Sequence, residues 1–472
     1  MKPVPLFGEG IRSISDIVTR QRRVNCFYIL RKDGDRSNVI ILGSPGSFSA
    51  YALADSPIRG YHEAGSSLYV VAGTTLFEVS IGGVITQRGT LPTVSRLVGM
   101  ADNGIDLTIV DGVSGYVMNL TTKAITTITD ANFPFGCTTI AYINERYVVE
   151  TPNSRIFTCS AQLDGTTWTP YLFATKEDYS DNIQAVDVFN GLIILWGDTK
   201  SIEFWQDLGL FPLPYQKVVG ATLTWGLAAK YSRTVLGNTL AFLGKSPDGG
   251  VQVLRLNGVT PVRISTDDVE NEIRKFAVYS DAISLTYTVN GHSFLQITFP
   301  SAQRTFVFDS STNIWSEAQT GLAVTARHYA NLGVSFNGKN YFSDTTTGTI
   351  YQFDLDTYTD NGTQILREVC TRHLRNAGNE LSVHDLYLDM EVGVGNASDP
   401  APQVSVAVSK DGGKNFGPEK IRSLGAVGQY LKRIYFSRLG SGKDYVFRIR
   451  MTDPVKFVIA SGSATVEDDS VS

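Results

Sequence analysis

Residues 184–226 read QAVDVFNGLIILWGDTKSIEFWQDLGLFPLPYQKVVGATLTWG and alternate short strand-forming runs with turn-forming residues. The run Leu192–Trp196 is wholly apolar, as expected of a strand that is buried on both faces. Gly197–Lys200 then provides a turn signal, and Ser201–Trp205 resumes as a second strand. The same order of strand, turn and strand returns between Val235 and Leu256. This stretch therefore predicts a series of short antiparallel strands joined by tight turns.

Units of the same layout recur along the chain. In addition to the two in the stretch above, units begin at Gly65, Ile105, Thr138, Ala282 and His328. Asn290-Gly291 and Asn337-Gly338 lie between strand-forming residues, and Asn-Gly is among the strongest short hairpin signals. Intervals of roughly 40 to 45 residues match a four-stranded propeller blade. We therefore predict an all-β fold in which residues 60–365 form a β-propeller of six or seven blades.

One segment of the propeller region has helix signals instead. Asp267 is a candidate N-cap, with Glu270 three residues later as its capping partner. Val269 and Ile273 fall on one helical face, which favours packing against a blade. We predict a short inserted helix near residues 267–276 that belongs to no functional site.

A different pattern follows the propeller region. In Asp385–Val392 apolar residues alternate with polar ones, which is typical of an antiparallel strand with one face in water. Longer strands of this kind predict a C-terminal β-sandwich over residues 366–466. We assign residues 1–59 to an N-terminal arm and first strands that contact partners, and residues 467–472 to an acidic tail.

Composition places the chain among globular proteins and excludes several functions. Of its 472 residues, 42% are hydrophobic and only 18% are charged, so it can bury a sizeable core. A net charge of −5 argues against a free-standing nucleic-acid binder, which is usually basic. The four cysteines lack metal or redox spacing and indicate buried thiols in a reducing compartment. Without a long apolar run or a signal-peptide core, we expect synthesis in a cytoplasm and no membrane insertion.

Two segments concentrate basic residues on this acidic chain. The first 36 residues contain eight basic and four acidic side chains, and Lys410–Lys456 contains eleven basic and four acidic ones. A solvated face is the default interpretation of such charge runs, and contact with an acidic partner surface or a phosphate backbone is the sharper hypothesis. These segments supply five candidate partner contacts: Arg20, Arg22, Arg23, Lys432 and Arg433.

Motifs that carry chemistry are scarce. The five histidines show no metal-binding spacing, and the sequence has no nucleophile elbow and no phosphate-binding glycine loop. Ser409–Phe416 matches the S-x-D-x-G-x-x-W/F turn that resembles the Asp-box of sialidase-type propellers. In that turn the aspartate caps backbone amides and the aromatic ring packs below, so a single copy outside the propeller indicates a hairpin. We predict no catalytic, cofactor-binding or metal-binding residues and no cofactor.

Several motifs, in their order and spacing, carry a family resemblance over nearly the whole chain. They are RRVNCFYILRKDGDRSNVIILGSPGSF from Arg22, RGYHEAGSSLYVVAGTTLFEV from Arg59, GLIILWGDTKSIEFW from Gly191, GLAAKYS from Gly226, ISTDDVENEIRKF from Ile264, VSKDGGKNFG from Val408 and YLKRIYFSRLG from Tyr430. Together they resemble the packaged DNA stabilisation family of short-tailed bacteriophages, whose members are tail hub or nozzle proteins.

The resemblance implies a virion protein of the phage tail without enzyme activity. It implies a homo-oligomer, a hexameric ring, assembled in the host cytoplasm below the head-to-tail adaptor and portal complex. Tail fibre or spike proteins would attach to it, and packaged DNA would be retained and then ejected through its lumen without sequence-specific binding. Since a strongly positive passage would hold phosphates back, we expect a neutral or acidic lumen and basic segments that face protein partners.

A carbohydrate-binding or glycan-hydrolysing propeller that recognises a receptor is the alternative function. A hydrolase of that kind would show several Asp-box turns and an arginine cluster that binds a substrate carboxylate. The sequence has one such turn, and none of its 46 acidic residues is singled out as a catalytic pair. The sequence therefore favours the structural hub.

Overall fold

A computed structural model describes residues 2–5, 7, 21–31, 39–94, 96–323, 325–376 and 379–468 of the chain. Within these residues the fold consists of β-strands and one α-helix. No helix in this part of the chain is long and apolar enough to cross a membrane. Five strands precede the first blade: β1 (Lys2–Pro5), β2 (Arg22–Val24), β3 (Cys26–Leu30), β4 (Val39–Gly43) and β5 (Gly46–Ala52).

The next sixteen strands form four antiparallel sheets in which each strand pairs with the one before it. Blade 1 consists of β6 (Ile58–Ala64), β7 (Ser67–Ala72), β8 (Thr75–Ser80) and β9 (Ile85–Thr90). Blade 2 consists of β10 (Gly99–Asp102), β11 (Asp106–Val110), β12 (Gly115–Asn119) and β13 (Ile125–Thr127). Blade 3 consists of β14 (Ile140–Ile143), β15 (Arg146–Glu150), β16 (Ile156–Ala161) and β17 (Asp164–Thr175). Blade 4 consists of β18 (Ile183–Phe189), β19 (Leu192–Gly197), β20 (Ile202–Asp207) and β21 (Tyr215–Lys217).

Three further sheets complete the propeller. Blade 5 consists of β22 (Gly226–Leu227), β23 (Thr234–Leu236), β24 (Thr239–Lys245), β25 (Val251–Asn257) and β26 (Thr260–Arg263), and is followed by helix α1 (Asp267–Arg274). Blade 6 consists of β27 (Ile283–Val289), β28 (His292–Phe299), β29 (Arg304–Asp309) and β30 (Ile314–Glu317). Blade 7 consists of β31 (Gly333–Phe336), β32 (Lys339–Ser343), β33 (Thr349–Asp354) and β5, and is extended by β34 (Thr359–Asp360) and β35 (Thr363–Gln364).

The turns that join neighbouring strands explain why these segments fold as hairpins. Asn290 and Gly291 have φ angles of 51° and 78°, and Asn337 and Gly338 have φ angles of 48° and 69°. Asparagine and glycine adopt this left-handed region at lower cost than other residues, and a two-residue hairpin turn of this type requires it twice in succession. The two hairpins predicted from Asn-Gly are therefore confirmed.

Seven blades, counted over the described residues, close into a ring. Strand β5 pairs with β33 at the opposite end of the propeller sequence, and the inner strands β31 and β6 are in contact. An apolar cluster fills each of the seven interfaces between neighbouring blades. Between blades 4 and 5, for example, the rings of Trp196 and Phe242 pack with centroids 4.8 Å apart. The prediction of a β-propeller is confirmed.

The remaining strands build a β-sandwich, as predicted. They are β36 (Arg367–Cys370), β37 (Leu374–Arg375), β38 (Leu381–Met390), β39 (Gln403–Ser409), β40 (Lys420–Ser423), β41 (Ile434–Gly442), β42 (Asp444–Met451) and β43 (Val458–Asp468). One sheet has the order β3-β4-β43-β38-β41, with β1 paired to β43. The other has the order β36-β42-β39-β40, with β37 paired to β42. One apolar cluster, which includes Leu386 and Phe447, lies between them.

The described strands of the N-terminal segment are built into both domains, whereas residues 1–59 were assigned to an N-terminal arm and first strands that contact partners. Hairpin β3–β4 joins the sandwich, where Ile41 pairs with Ile459, and β5 completes blade 7. Strand β2 pairs with β30 on one side and β36 on the other, so a single sheet runs from blade 6 into the sandwich. The period-two pattern reveals strands but not their distant partners, which explains the difference.

Helix α1 is shorter than predicted and has a different N-cap. The cap is Thr266, which is extended (φ −91°, ψ 161°) and whose hydroxyl accepts a hydrogen bond from the Val269 amide. Glu270 is buried and accepts a hydrogen bond from the Ser265 hydroxyl (2.6 Å). Val269 and Ile273 are buried between blades 5 and 6, so the predicted packing face is correct.

Candidate partner-binding surfaces

Arg22 lies in the domain seam, which we define as strands β30, β2 and β36. Its Nη2 donates to Glu317 Oε2 (2.9 Å) and its Nη1 donates to Glu368 Oε1 (3.2 Å). On the far side of Glu368, Arg450 Nε donates to Oε2 (2.6 Å). Burial alone would lower the pKa of Arg22. The two carboxylates raise this pKa by a larger amount, so its net shift is upward. Arg22 therefore joins the propeller to the sandwich through charged groups.

Arg23 is turned into the interior and is only 3% exposed. Its Nη2 donates to the Trp315 carbonyl (2.9 Å), and its guanidinium lies 4.5 Å from the centroid of the Tyr28 ring. Arg22 and Arg23 are thus parts of the fold rather than of an exposed arm, which corrects their predicted placement. The cause is the central position of β2 in a ten-stranded sheet, where Arg23 is buried and Arg22 is partly buried. Arg20 lies outside the described residues.

A buried carboxyl lies where blade 7 closes. Asp360 is 4% exposed and accepts hydrogen bonds from the hydroxyls of Ser47 on β5 (3.4 Å) and Thr320 (3.3 Å). Burial raises the pKa of Asp360 to about 7. Its neighbour His328, with Nε2 3.9 Å from Asp360 Oδ2, has its pKa lowered to about 3 by burial and by Arg327. The pair is therefore neutral at mildly acidic pH.

These two groups give opposite contributions to stability between about pH 4 and 7. The raised pKa of Asp360 contributes stability that is lost as pH rises toward 7, and the lowered pKa of His328 contributes stability that is lost as pH falls below 6.5. In the Asp360→Asn variant only the contribution of His328 to the pH dependence of stability remains. We expect the free energy of unfolding of this variant, measured in urea, to fall more steeply than that of the wild type between pH 7.5 and 4.5.

His328→Gln is the matched control for that experiment. It retains only the Asp360 contribution, so its stability relative to wild type should change in the opposite direction over the same pH interval. Parallel pH profiles for the wild type and both variants would contradict the assignment of these pKa shifts.

Lys432 and Arg433 lie on the sandwich tip, defined as residues 426–433 between β40 and β41. All eight residues are exposed, and within the described chain neither cation has an ion pair. The tip is anchored by Leu424, which is fully buried and whose amide donates to the Pro402 carbonyl (2.7 Å). A bond from the Gln429 amide to the Ala426 carbonyl (3.0 Å) orders the turn itself.

The sandwich tip also carries apolar side chains in water. Leu431 is 98% exposed, and Tyr430 and Val427 are 66% and 64% exposed. Single exposed apolar residues are ordinary, but three in one ordered loop beside two unpaired cations form an amphipathic patch typical of interaction sites. Partner contact by Lys432 and Arg433 stays a prediction, and it is supported by the exposed apolar side chains beside them on the sandwich tip.

A second exposed surface is the blade 3–4 groove, which the sequence reasoning did not identify. Its volume is about 730 Å³, and its lining includes Glu145, Arg146, Tyr171, Asp207, Leu210 and Phe211. The turns between β14 and β15, β16 and β17, and β20 and β21 contribute to it. In an up-and-down blade these three turns fall at the same end of the strands, so the groove opens on one face of the propeller.

The loop between β20 and β21 forms the apolar wall of the blade 3–4 groove. Leu208 donates its amide to the Pro214 carbonyl (2.8 Å), and Leu213 packs against the cluster between blades 3 and 4. The tip of the loop is left in water, with Phe211 94% and Leu210 48% exposed. The run LGLFPLP, apolar residues with two prolines between two strands, is the sequence signal that could have indicated this surface.

Two carboxylates contribute polar groups to the same groove. Asp207 Oδ2 accepts a hydrogen bond from Asn144 Nδ2 (2.8 Å), and Glu145 accepts one from the Gln162 side chain. Over the described residues, neither carboxylate forms an ion pair. Arg146 directs a guanidinium N–H to the Ser160 carbonyl (2.8 Å). The groove therefore combines an apolar wall with two carboxylates that form no ion pair and with one guanidinium that is bonded to a backbone carbonyl.

The single Asp-box-like turn is a structural hairpin, as predicted. Asp411 Oδ1 accepts hydrogen bonds from the Ser409 hydroxyl (2.7 Å) and the Asn415 amide (3.0 Å). Burial favours a higher pKa for Asp411, but these bonds lower the pKa to about 2. The Phe416 ring packs under the Arg448 guanidinium, 4.4 Å from it. Across the part of the chain that is described, no group of three His, Cys, Asp or Glu side chains is arranged to hold a metal ion.

Comparison with known proteins identifies both domains. A family profile described as "Bacteriophage P22 Gp10, beta-propeller" matches residues 19–358, and one described as "Bacteriophage P22 Gp10, beta-sandwich" matches residues 366–467. No curated protein sequence matches the chain.

Two solved structures match the chain at low sequence identity. A chain in the crystal structure of a mitotic checkpoint complex is similar with a TM-score of 0.42 and 10% identity, over 69% of this chain and 96% of that one. The extracellular domain of the hybrid two component system BT4673 from B. thetaiotaomicron is similar with a TM-score of 0.45 and 8% identity, over 75% of this chain and 45% of that one.

Proposed function

We propose that this chain, which belongs to the bacteriophage P22 Gp10 family and is a structural protein of the phage tail, forms the hub or nozzle of a short tail. In the virion, six copies form a ring below the portal and the head-to-tail adaptor. The ring retains packaged DNA, provides the conduit for ejection and carries tail fibres or spikes. Assembly takes place in the host cytoplasm.

One observation carries this proposal: the two family domains occur in order along the chain and share a continuous sheet. The two flanks of β2 are hydrogen-bonded to blade 6 and to the sandwich, and Arg22 bridges carboxylates from both domains. A subunit that transmits load between a capsid and its fibres needs domains that do not hinge freely. The domain seam supports such a role.

The charge of the chain supports passage of DNA without sequence-specific binding. Tight binding of duplex DNA comes mainly from cations that neutralise phosphates, and each such contact would slow sliding. With a net charge of −5, the chain as a whole has no excess of positive charge to bind a duplex passing through, and Arg22 and Arg23 are held in internal contacts. We therefore expect the lumen of the ring to be neutral or acidic.

Particles assembled without this chain test the proposal. We expect them to package DNA and then lose it, because nothing closes the portal exit, and to carry no fibres. DNA content per particle and electron microscopy of the vertex measure both effects, and supplying the wild-type chain should restore both. Particles that lack the chain yet hold their DNA and infect normally would refute the hub.

A carbohydrate-binding or glycan-hydrolysing propeller is the alternative. Tyr171 and Phe211 beside amide and carboxylate groups in the blade 3–4 groove are a surface on which a sugar could stack. Asp411, the one aspartate in an Asp-box-like turn, is occupied by backbone and hydroxyl donors. We expect the purified chain to release no sugar from capsular or lipopolysaccharide glycans. Hydrolysis that disappears on replacing one carboxylate would establish the alternative.

A further inference from the structure

We infer that the sandwich tip of one copy of this chain docks in the blade 3–4 groove of a second copy. The inference rests on the proposed function, since it names the surfaces through which the ring would form. Repeated in the same sense around an axis, this contact joins each subunit to the next.

The position of the two surfaces suits a ring rather than a symmetric dimer. The sandwich is continuous with blade 6 through β2, whereas the groove lies on blades 3 and 4, two to three blades away around the propeller. Surfaces that differ and lie on different sides of a subunit make head-to-tail contacts, which close into rings when the rotation permits. A two-fold contact would instead require one patch that complements itself.

The shapes of the two surfaces complement each other. The sandwich tip is a projection that is ordered by its own hydrogen bonds, and Leu431 extends into water from its end. The groove is a depression of about 730 Å³ beside the exposed ring of Phe211, large enough to receive several side chains. Contact would cover Leu431, the most exposed large apolar side chain of the tip, with the apolar wall of the groove.

The charges are complementary as well. Lys432 and Arg433 lie next to Leu431, and neither has an ion pair among the described residues. Glu145 and Asp207 lie beside the apolar wall of the groove and likewise form no ion pair among the described residues, since Arg146 in the same lining donates to the Ser160 carbonyl. Unpaired charges of opposite sign around apolar centres favour one register and steer association. A second copy provides both halves of this match, because each copy contains one tip and one groove.

Charge reversal tests the contact in the full-length chain. Lys432→Glu with Arg433→Glu reverses the tip, and Glu145→Lys with Asp207→Lys reverses the groove. We expect each double variant to weaken self-association by roughly tenfold or more, with a larger effect at low salt. The chain with all four changes should recover association, because its tip and groove are again of opposite sign. Native mass spectrometry and sedimentation measure the distribution of oligomers.

Two controls separate the contact from folding and from total charge. Lys200→Glu with Lys339→Glu changes the net charge as much as the tip reversal does at exposed positions elsewhere, and should leave association unchanged. Because Asp207 also holds Asn144, Glu145→Lys alone serves as the milder groove variant, and thermal unfolding of every variant should match the wild type. If the chain with all four changes folds normally but does not recover self-association, the proposed contact is wrong.

A cross-link tests the same contact in assembled virions. Leu431→Cys combined with Leu210→Cys should give a ladder of linked subunits with a short thiol-reactive cross-linker, whereas either change alone should not. The native cysteines are all buried, so the background is low. Rings without a ladder would place the subunit interface elsewhere and leave the hub intact. Absence of any ring from virions would refute the proposed function itself, and a tip reversal that spares rings but removes fibres would assign the tip to a fibre.

Discussion

Glu368→Gln is expected to lower the free energy of unfolding by about 3 kcal/mol, because it removes one member of a buried ionic network. Glu368 is 1% exposed and accepts bonds from Arg22 (3.2 Å) and Arg450 (2.6 Å). The estimate is at the lower end for a buried ion pair because Arg22 keeps Glu317 and Arg450 keeps Glu419. Equilibrium unfolding in urea measures the change.

The experiment distinguishes the two domains because all five tryptophans, at positions 168, 196, 205, 225 and 315, belong to the propeller. Their fluorescence follows that domain, while far-ultraviolet circular dichroism follows both. Glu391→Gln is the matched control, since its pair with Lys456 is exposed and should contribute less than about 1 kcal/mol. Equal effects of Glu368→Gln and Glu391→Gln would show that the domain seam does not depend on this carboxylate.

Gly46→Ala is expected to cost about 3 kcal/mol, toward the upper end of what overpacking costs. A β-carbon at position 46 would lie 2.3 Å from the Thr357 carbonyl oxygen and 2.5 Å from that of Thr359. Both contacts are to backbone, so β5 or its neighbours must move apart where the propeller closes. We expect lower stability in urea and earlier proteolytic cleavage near β5 and β33 than elsewhere.

Gly82→Ala provides the comparison for that substitution. Gly82 lies in the exposed turn between β8 and β9, where the nearest atom to an added β-carbon is the Ser80 hydroxyl at 3.9 Å. Its effect should be small, or slightly stabilising through loss of freedom in the unfolded chain. If Gly46→Ala is as well tolerated as Gly82→Ala, the carbonyl oxygens of Thr357 and Thr359 are farther from position 46 than the structure shows.

Local patterns in the sequence were sufficient for the class of fold. Apolar runs such as Leu192–Trp196 and Asn-Gly turns depend on neighbours in sequence, and they predicted blades and hairpins correctly. Strands β2, β4 and β5 have pairing partners that lie hundreds of residues away, and alternation of polar and apolar residues does not encode them. For the same reason Arg22 and Arg23, which follow Arg20 in a basic run, were placed on a surface when they belong to the domain seam.

The candidate surfaces were harder to predict than the fold. Lys432 and Arg433 were identified from charge alone, and the structure adds Leu431 and the anchoring by Leu424. The blade 3–4 groove brings together Glu145 and Phe211 from different blades, and no spacing in the sequence connects them. Surfaces built from several loops depend on the closure of the ring, which becomes visible only in three dimensions.

The pairing of N-terminal strands with strands from late in the sequence also sets the order in which parts of the protein can fold during synthesis. Strand β5 cannot pair in blade 7 until β33 has been synthesised. Hairpin β3–β4 likewise cannot pair in the sandwich until β43, which ends at Asp468, has been synthesised. Because domains of a nascent chain fold as their residues emerge, the propeller cannot close before Asp354 has left the ribosome, and the sandwich cannot be completed before Asp468 has done so. A prematurely terminated product would lack a complete sandwich and could not compete with full-length subunits for places in a growing tail.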